Sequence, residues 1–379
     1  MKRMEQPSLS VLRREEQITL QLRALYEQYG YRKYRMGKFE EYELYLENKN
    51  FLKSKHILTF HDLDGKVLAL KPDVTLSIAK NTHATASSSE KFYYLENVYR
   101  LDKPSGDYRE ISQLGLEQIG RLDGLASYEV IGLAQKTLAA IHDRRQMQIS
   151  HMGFWVSLLD ETGAEFNTRK EWLDCISGKK LHELKDRLTE TNLPSENAGI
   201  LLKAAGLCGP FGETLKAARD LARNDGMTKA LDELENVHRL LTARGLSDHV
   251  TLDFSLVDDS DYYGGLIFQG YVESVPRPVL AGGYYGNLLK KFGRDLDAIG
   301  FAVYLNELSF LFRADHGSGV DALILYDVDA DKEDLLHQAE EMRAKGMRVR
   351  LERSVPDEIR CGKISRFTKD GLKEAGKDA

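Results

Sequence analysis

Two runs, "FYYLENVYRL" (92–101) and "REISQLGLEQIG" (109–120), flank the turn-rich "DKPSGDY" and constrain the fold more than any other stretch. Each mixes aromatic and branched apolar residues with polar ones, and the Pro, Ser, Gly and Asp between them mark a chain reversal. The pattern predicts a hairpin and so an antiparallel sheet. Shorter strand-like pieces precede it: "YRKYRM", "HILTFHD" and "KVLALKP", the last two separated by a turn at Gly65. Strand texture returns at Val250 and continues through tyrosine-rich turns to Ala302.

Helices are predicted around these strands. Ile18, Leu22, Leu25, Tyr26 and Tyr29 recur at helical spacing before Gly30, and Ile131, Ala134, Leu138 and Ile141 do so within about 127–142. "QMQISHMG" follows as a strand. From about 167 to 245 the texture is helical, broken at Leu193-Pro194 and Cys208-Gly209-Pro210, which reads as a helical insertion. "VDALILYD", a helix with Leu335, Leu336, Ala339 and Met342, then Gly346 and "MRVRLE", form a β-α-β unit. The expected organisation is a core over 1–315 and a small α/β domain over 318–379, its Lys-rich tail after Cys361 a solvated end.

Composition bounds the function. The chain has 379 residues, 42% hydrophobic and 30% charged, enough for a large core. Its formal net charge of −6 has the wrong sign for a protein whose affinity comes from neutralising phosphates, so nucleic acid is not an expected partner. Cys175, Cys208 and Cys361 are scattered and form no Cys-x-x-Cys, which fits a reducing cytoplasm. No stretch approaches the roughly 18 apolar residues of a membrane span.

In "LVDDSDYYGG" (256–265), Asp258 and Asp259 stand where an apolar strand enters a turn. Asp259-x-Asp261 with Gly264 imitates the start of a calcium loop, but Gly270 stands where a bidentate Glu is needed. An Asp-Asp after apolar residues is similar to the diphosphate-sugar motif of type I phosphoribosyltransferases, but Tyr263 precedes Gly264 where Thr is required.

Five segments in order, "LALKPDVT" (68–75), "YLENVYRLDKPSGDYREISQLGLEQIG" (94–120), "LVDDSDYYGG", "AGGYYGNL" (281–288) and "AIGFAVYLNEL" (298–308), resemble the catalytic core of histidyl-tRNA synthetase, a class II synthetase. The implied fold is α+β: a class II synthetase-like antiparallel sheet flanked by helices, with the helical insertion and the small α/β C-terminal domain. The resemblance places Asp73, Thr75 and Gln113 at the ammonium of a bound histidine. Glu117 and Tyr263 fall on its ring nitrogens, and Tyr262 and Tyr285 line the pocket. A buried ammonium needs a carboxylate, and a ring with two nitrogens needs two directional partners. Arg100 keeps the second-motif position and joins this group, and Arg109 remains in the loop after it.

The positions that hold ATP in such a synthetase have changed. Asp107 stands where the loop offers an arginine, Ile111 replaces the adenine-stacking aromatic, Glu307 falls on the third-motif arginine, and Asp258 falls on the histidine-specific catalytic arginine. Two like charges at about 4 Å repel by about 4 kcal/mol at an effective dielectric near 20. Gly37 also stands where synthetases carry a dimer-interface proline.

An amino-acid pocket without activation chemistry is similar to the regulatory subunits of ATP phosphoribosyltransferase, paralogs of the synthetase in histidine biosynthesis. That resemblance implies a non-catalytic, cytoplasmic chain without a cofactor or metal. It implies self-association into dimers, assembly with a short catalytic subunit, and L-histidine as feedback ligand. The alternatives are a divergent histidyl-tRNA synthetase and a free-standing histidine-binding paralog.

Overall fold

The expected hairpin forms with long arms, Glu90–Leu101 and Tyr108–Gly120, paired antiparallel from Glu90 opposite Ile119 to Leu101 opposite Tyr108. Gly106 makes its reversal at φ +73, a conformation open to glycine at little cost, and its N–H donates to Asp102 O at 2.8 Å. The structure, a computed structural model, describes residues 12–49, 52, 56–102, 105–191, 193–258, 263–312, 319–356, 359–368 and 371–374. They divide into two compact units: residues 21–308, and the residues from 309 onward together with those up to 20.

In the larger unit the hairpin sits in a nine-stranded sheet. Its order is Arg32–Lys33, Glu90–Leu101, Tyr108–Gly120, Asp297–Tyr304, Leu280–Tyr284, Leu266–Val272, Arg145–His151, Val250–Asp253 and Cys208–Pro210. Most pairings are antiparallel. Two are parallel: Arg32–Lys33 with the first hairpin arm, and Arg145–His151 with Val250–Asp253. A separate three-stranded sheet joins Phe39–Glu41, Val67–Leu70 and Thr59–His61.

One face of the large sheet is covered by helices. Helix Gly124–Ile141 starts at Asp123, whose carboxylate accepts from Leu125 N at 3.0 Å and Ala126 N at 3.1 Å, and it buries Val130, Ile131, Ala134, Leu138 and Ile141. It packs on Arg145–His151, Leu266–Val272 and Asp297–Tyr304. A Cβ at Gly270 would stand 2.7 Å from Leu138, so the missing side chain sets how closely helix and sheet approach. Helices Met152–Asp160 and Asp225–Ala243 complete the layer.

Among the described residues the predicted insertion is mostly helical: Phe166–Ser177, Leu181–Glu190, Ser195–Ala205, Phe211–Leu221 and Asp225–Ala243. Its second break is more than a loop, because Cys208–Pro210 pairs with Val250–Asp253 at the sheet edge. The "MG" end of the predicted strand instead begins helix Met152–Asp160. Among the described residues no helix is long and apolar enough to cross a membrane.

In the smaller unit, Val320–Tyr326, helix Lys332–Ala344 and Val349–Glu352 form the predicted β-α-β unit with parallel strands. The described residues after Cys361 are not a solvated end. Cys361–Thr368 pairs parallel to Val320–Tyr326 and Gly371–Glu374 pairs antiparallel to Cys361–Thr368. Ile364 and Phe367 are buried there, while Lys363 and Arg366 meet Glu374 and Asp327 at 3.2 and 3.3 Å. The lysines gave the segment its solvated texture, but its buried apolar side chains anchor it.

Candidate amino-acid-binding cleft

The other face of the sheet carries a cleft whose floor is made of small residues. Across adjacent strands Gly283 lies opposite Gly300, which lies opposite Glu117; two residues along, Ala281 lies opposite Ala302, which lies opposite Gly115. Side chains on a strand alternate between faces, so these positions share one face, and the intervening Phe301 and Leu116 point into the helix-covered core. On this floor stand the walls. A Cβ at Gly115 would meet the Tyr94 ring at 2.4 Å, one at Gly283 the Tyr263 ring at 2.7 Å, and one at Gly300 the Glu117 carboxylate at 1.7 Å.

Asp73, Thr75, Tyr94, Arg100, Gln113, Glu117, Tyr263, Tyr285 and Tyr304 enclose the floor. The cavity they leave is small, about 40 Å³.

Glu117 is the centre of the cleft and is only 2% exposed. Thr75 Oγ1 donates to its Oε1 at 2.7 Å, and the Tyr285 hydroxyl donates to its Oε2 at 2.6 Å. Burial pushes its carboxyl up to about 8; the two hydroxyl donors oppose that rise, and the charge of Asp73 adds to it. Asp73 serves two structures at once. Its Oδ1 accepts from Leu76 N at 3.0 Å at the start of helix Thr75–Asn81, and its Oδ2 pairs with Arg100 at 3.2 Å. Arg100 Nε also donates to Pro72 O at 2.7 Å.

Seven of the eight expected pocket residues therefore converge, and Tyr262 lies outside the described residues. The phenol that reaches Glu117 is that of Tyr285, and Thr75 also turns to Glu117. The four positions read from the sequence as altered adenylation residues do not line the cleft. Asp107 is exposed in the hairpin turn, beside which Arg109 pairs with Asp102 at 3.0 Å, and Ile111 is half-buried opposite Val98. Glu307 pairs with Arg277 at 3.7 Å. Asp258 lines a different cavity of about 490 Å³, walled by Met152, Trp155 and Phe166. Asp259 and Asp261, of the calcium-loop pattern, lie outside the described residues. Among those residues no group of His, Cys, Asp or Glu is arranged to hold a metal ion.

Sequence reasoning missed the floor, Tyr94 and Tyr304. The floor had a signal: Ala281-x-Gly283 and Gly300-x-Ala302 place small residues at period two in neighbouring strands. It also missed Lys71, fully buried with its ammonium 2.5 Å from Glu96.

A largely antiparallel sheet backed by helices, with a polar cleft on its other face, defines the class: a class II synthetase-like core. The chain belongs to the histidyl-tRNA synthetase family, whose model matches residues 7–308. Within it the chain is 26% identical over 349 residues to an ATP phosphoribosyltransferase regulatory subunit of Ruminiclostridium cellulolyticum, covering 89% of this chain and 82% of the relative. A protein of the same description from Halothermothrix orenii is 28% identical over 375 residues, covering 95% and 87%. Among solved structures, an ATP phosphoribosyltransferase regulatory subunit/histidyl-tRNA synthetase from Bacillus halodurans matches with a TM-score of 0.76 at 27% identity, covering 94% and 95%. The resemblance read from five segments thus extends over most of the chain.

Proposed function

We propose that this chain is the regulatory subunit of an ATP phosphoribosyltransferase, acting in the first step of histidine biosynthesis, and that L-histidine is the ligand of the Glu117 cleft. The observation that carries the ligand assignment is the buried Glu117 carboxyl, held by Thr75 and Tyr285 beside the Asp73–Arg100 pair. It offers a ring nitrogen a directional partner in a place where an unpaired polar group would be costly. Asp73 faces the ligand's ammonium, and Gln113 and Tyr263 complete its surroundings.

The chain itself performs no catalysis. Asp107, Ile111, Asp258 and Glu307 stand where the synthetase's ATP-holding groups belong, so the amino-acid half of the old site is kept and the nucleotide half is degraded. Its partner is the short catalytic subunit, which it activates in a hetero-oligomer, with self-association into dimers. Histidine inhibits by binding the less active assembly more tightly than the active one; equal affinity for both would shift nothing.

The test is phosphoribosyl-ATP formation by the same organism's short catalytic subunit, with and without this chain, and with added histidine. Activity that requires the chain and falls with histidine is the expected result. No effect on a folded partner, together with histidine-dependent exchange of pyrophosphate into ATP by the chain alone, would overturn it in favour of a divergent histidyl-tRNA synthetase.

A further inference from the structure

Both donors on Glu117 come from elements remote from its strand. Thr75 opens helix Thr75–Asn81, whose start is fixed by Asp73 through Leu76 N. Tyr285 directly precedes helix Gly286–Lys291, and its N–H donates to Ala298 O at 2.8 Å, which ties it to the neighbouring strand. Beneath the carboxyl lies Gly300, directly opposite in register, where any Cβ would collide with Oε2. Each carboxylate oxygen has two acceptor sites, so one on each remains for an occupant after the two hydroxyls bind.

We infer that Thr75 and Tyr285 are positioning residues that clamp Glu117, one donor to each oxygen, and so fix both its direction and the pH range over which the cleft takes a histidine ring. This rests on the reading of the cleft as a histidine site. The charged groups facing Glu117 are Asp73 and Arg100, which pair with each other, and the titratable phenols around it are Tyr31, Tyr94, Tyr263, Tyr285 and Tyr304. Among the described residues no cation pairs with Glu117, so the hydroxyls are what favours its ionised form against burial. An ionised carboxylate accepts a ring N–H, and affinity therefore rises as pH climbs through the ionisation of Glu117. Loss of either hydroxyl moves that rise to higher pH.

The test uses Tyr285→Phe and Thr75→Val, which keep the side-chain shape, in the full chain. Calorimetric titration with histidine on both sides of about pH 8 is expected to show binding weakened about tenfold at neutral pH in each variant. The rise in affinity should also be displaced upward in pH. Weakening by the same factor at every pH, with the rise unmoved, would make both residues ordinary packing and overturn the inference. A second measurement needs no ligand. The infrared carbonyl band of protonated Glu117, assigned by its loss in Glu117→Gln, should persist to higher pH in both variants, and an unmoved band would overturn the clamp. If the parent chain takes up no histidine, the functional reading fails while the infrared titration still decides the clamp.

Discussion

Strand Asp297–Tyr304 has two unlike faces. Toward the helices it presents Ile299, Phe301 and Val303, all buried, with Phe301 edge-on to Tyr26 at 6.0 Å and to Phe268 at 6.3 Å. Toward the cleft it presents Gly300, Ala302 and Tyr304, the last two half-buried. The same backbone therefore carries the core on one side and the site on the other. The difference teaches that stability here comes from volume filled, whereas the site comes from volume withheld, with polar groups set on the cleared floor.

The contrast is breakable. Phe301→Ala should have the largest effect on stability: a lost ring in a packed core costs about 3–5 kcal/mol, seen as a lower urea midpoint. If this variant unfolds no more easily than the parent, the helix-covered face is not the core. Glu117→Ala should do the opposite, abolishing histidine binding by calorimetry while leaving complex formation with the catalytic subunit intact. Loss of assembly would mean the residue is structural.

The pH dependence sharpens this. Because the Glu117 carboxyl is raised in the folded chain, its protonation contributes stability at pH below the ordinary carboxylate range, and that contribution is lost as pH rises through about 8. Glu117→Gln should remove this part of the pH slope, so the difference between its Tm and that of the parent should grow from acid to alkaline pH. A constant difference would mean the carboxyl is not raised.

Ala302→Leu fills the floor without removing any polar group. It should block histidine while costing about 1–3 kcal/mol at most; undiminished binding would show that the ligand does not use this floor. In the smaller unit, Asp331 caps helix Lys332–Ala344 by accepting from Glu333 N at 3.0 Å and Asp334 N at 3.3 Å, so Asp331→Ala should cost about 1 kcal/mol. Asp107→Ala, on the exposed turn, should change stability by less than about 0.5 kcal/mol, with histidine affinity equal to the parent's.

Much of this was legible locally. Helix Gly124–Ile141, the long hairpin and the β-α-β unit follow from periodicity, turn residues and caps, because each depends on neighbours within a few positions. The pocket residues were legible through family resemblance: Asp73, Gln113 and Glu117 sit in short recognisable segments. The tail after Cys361 was misread because composition was weighed above Ile364 and Phe367. Cys208–Pro210 was missed as a strand because three residues give too short a pattern to read.

By itself, then, the sequence determined most of the element types, the class II core and seven of the side chains that gather in the cleft. Only tertiary structure decided that Tyr285 and Thr75 hold Glu117, that Gly300 lies beneath it, and that Asp258 lines another cavity. The physical reason is range. Helix and turn preferences act over a few bonds, whereas the contact of Glu117 with Tyr285 joins residues 168 positions apart. Which strands stand side by side, and in what register, is set by the packing of the whole sheet.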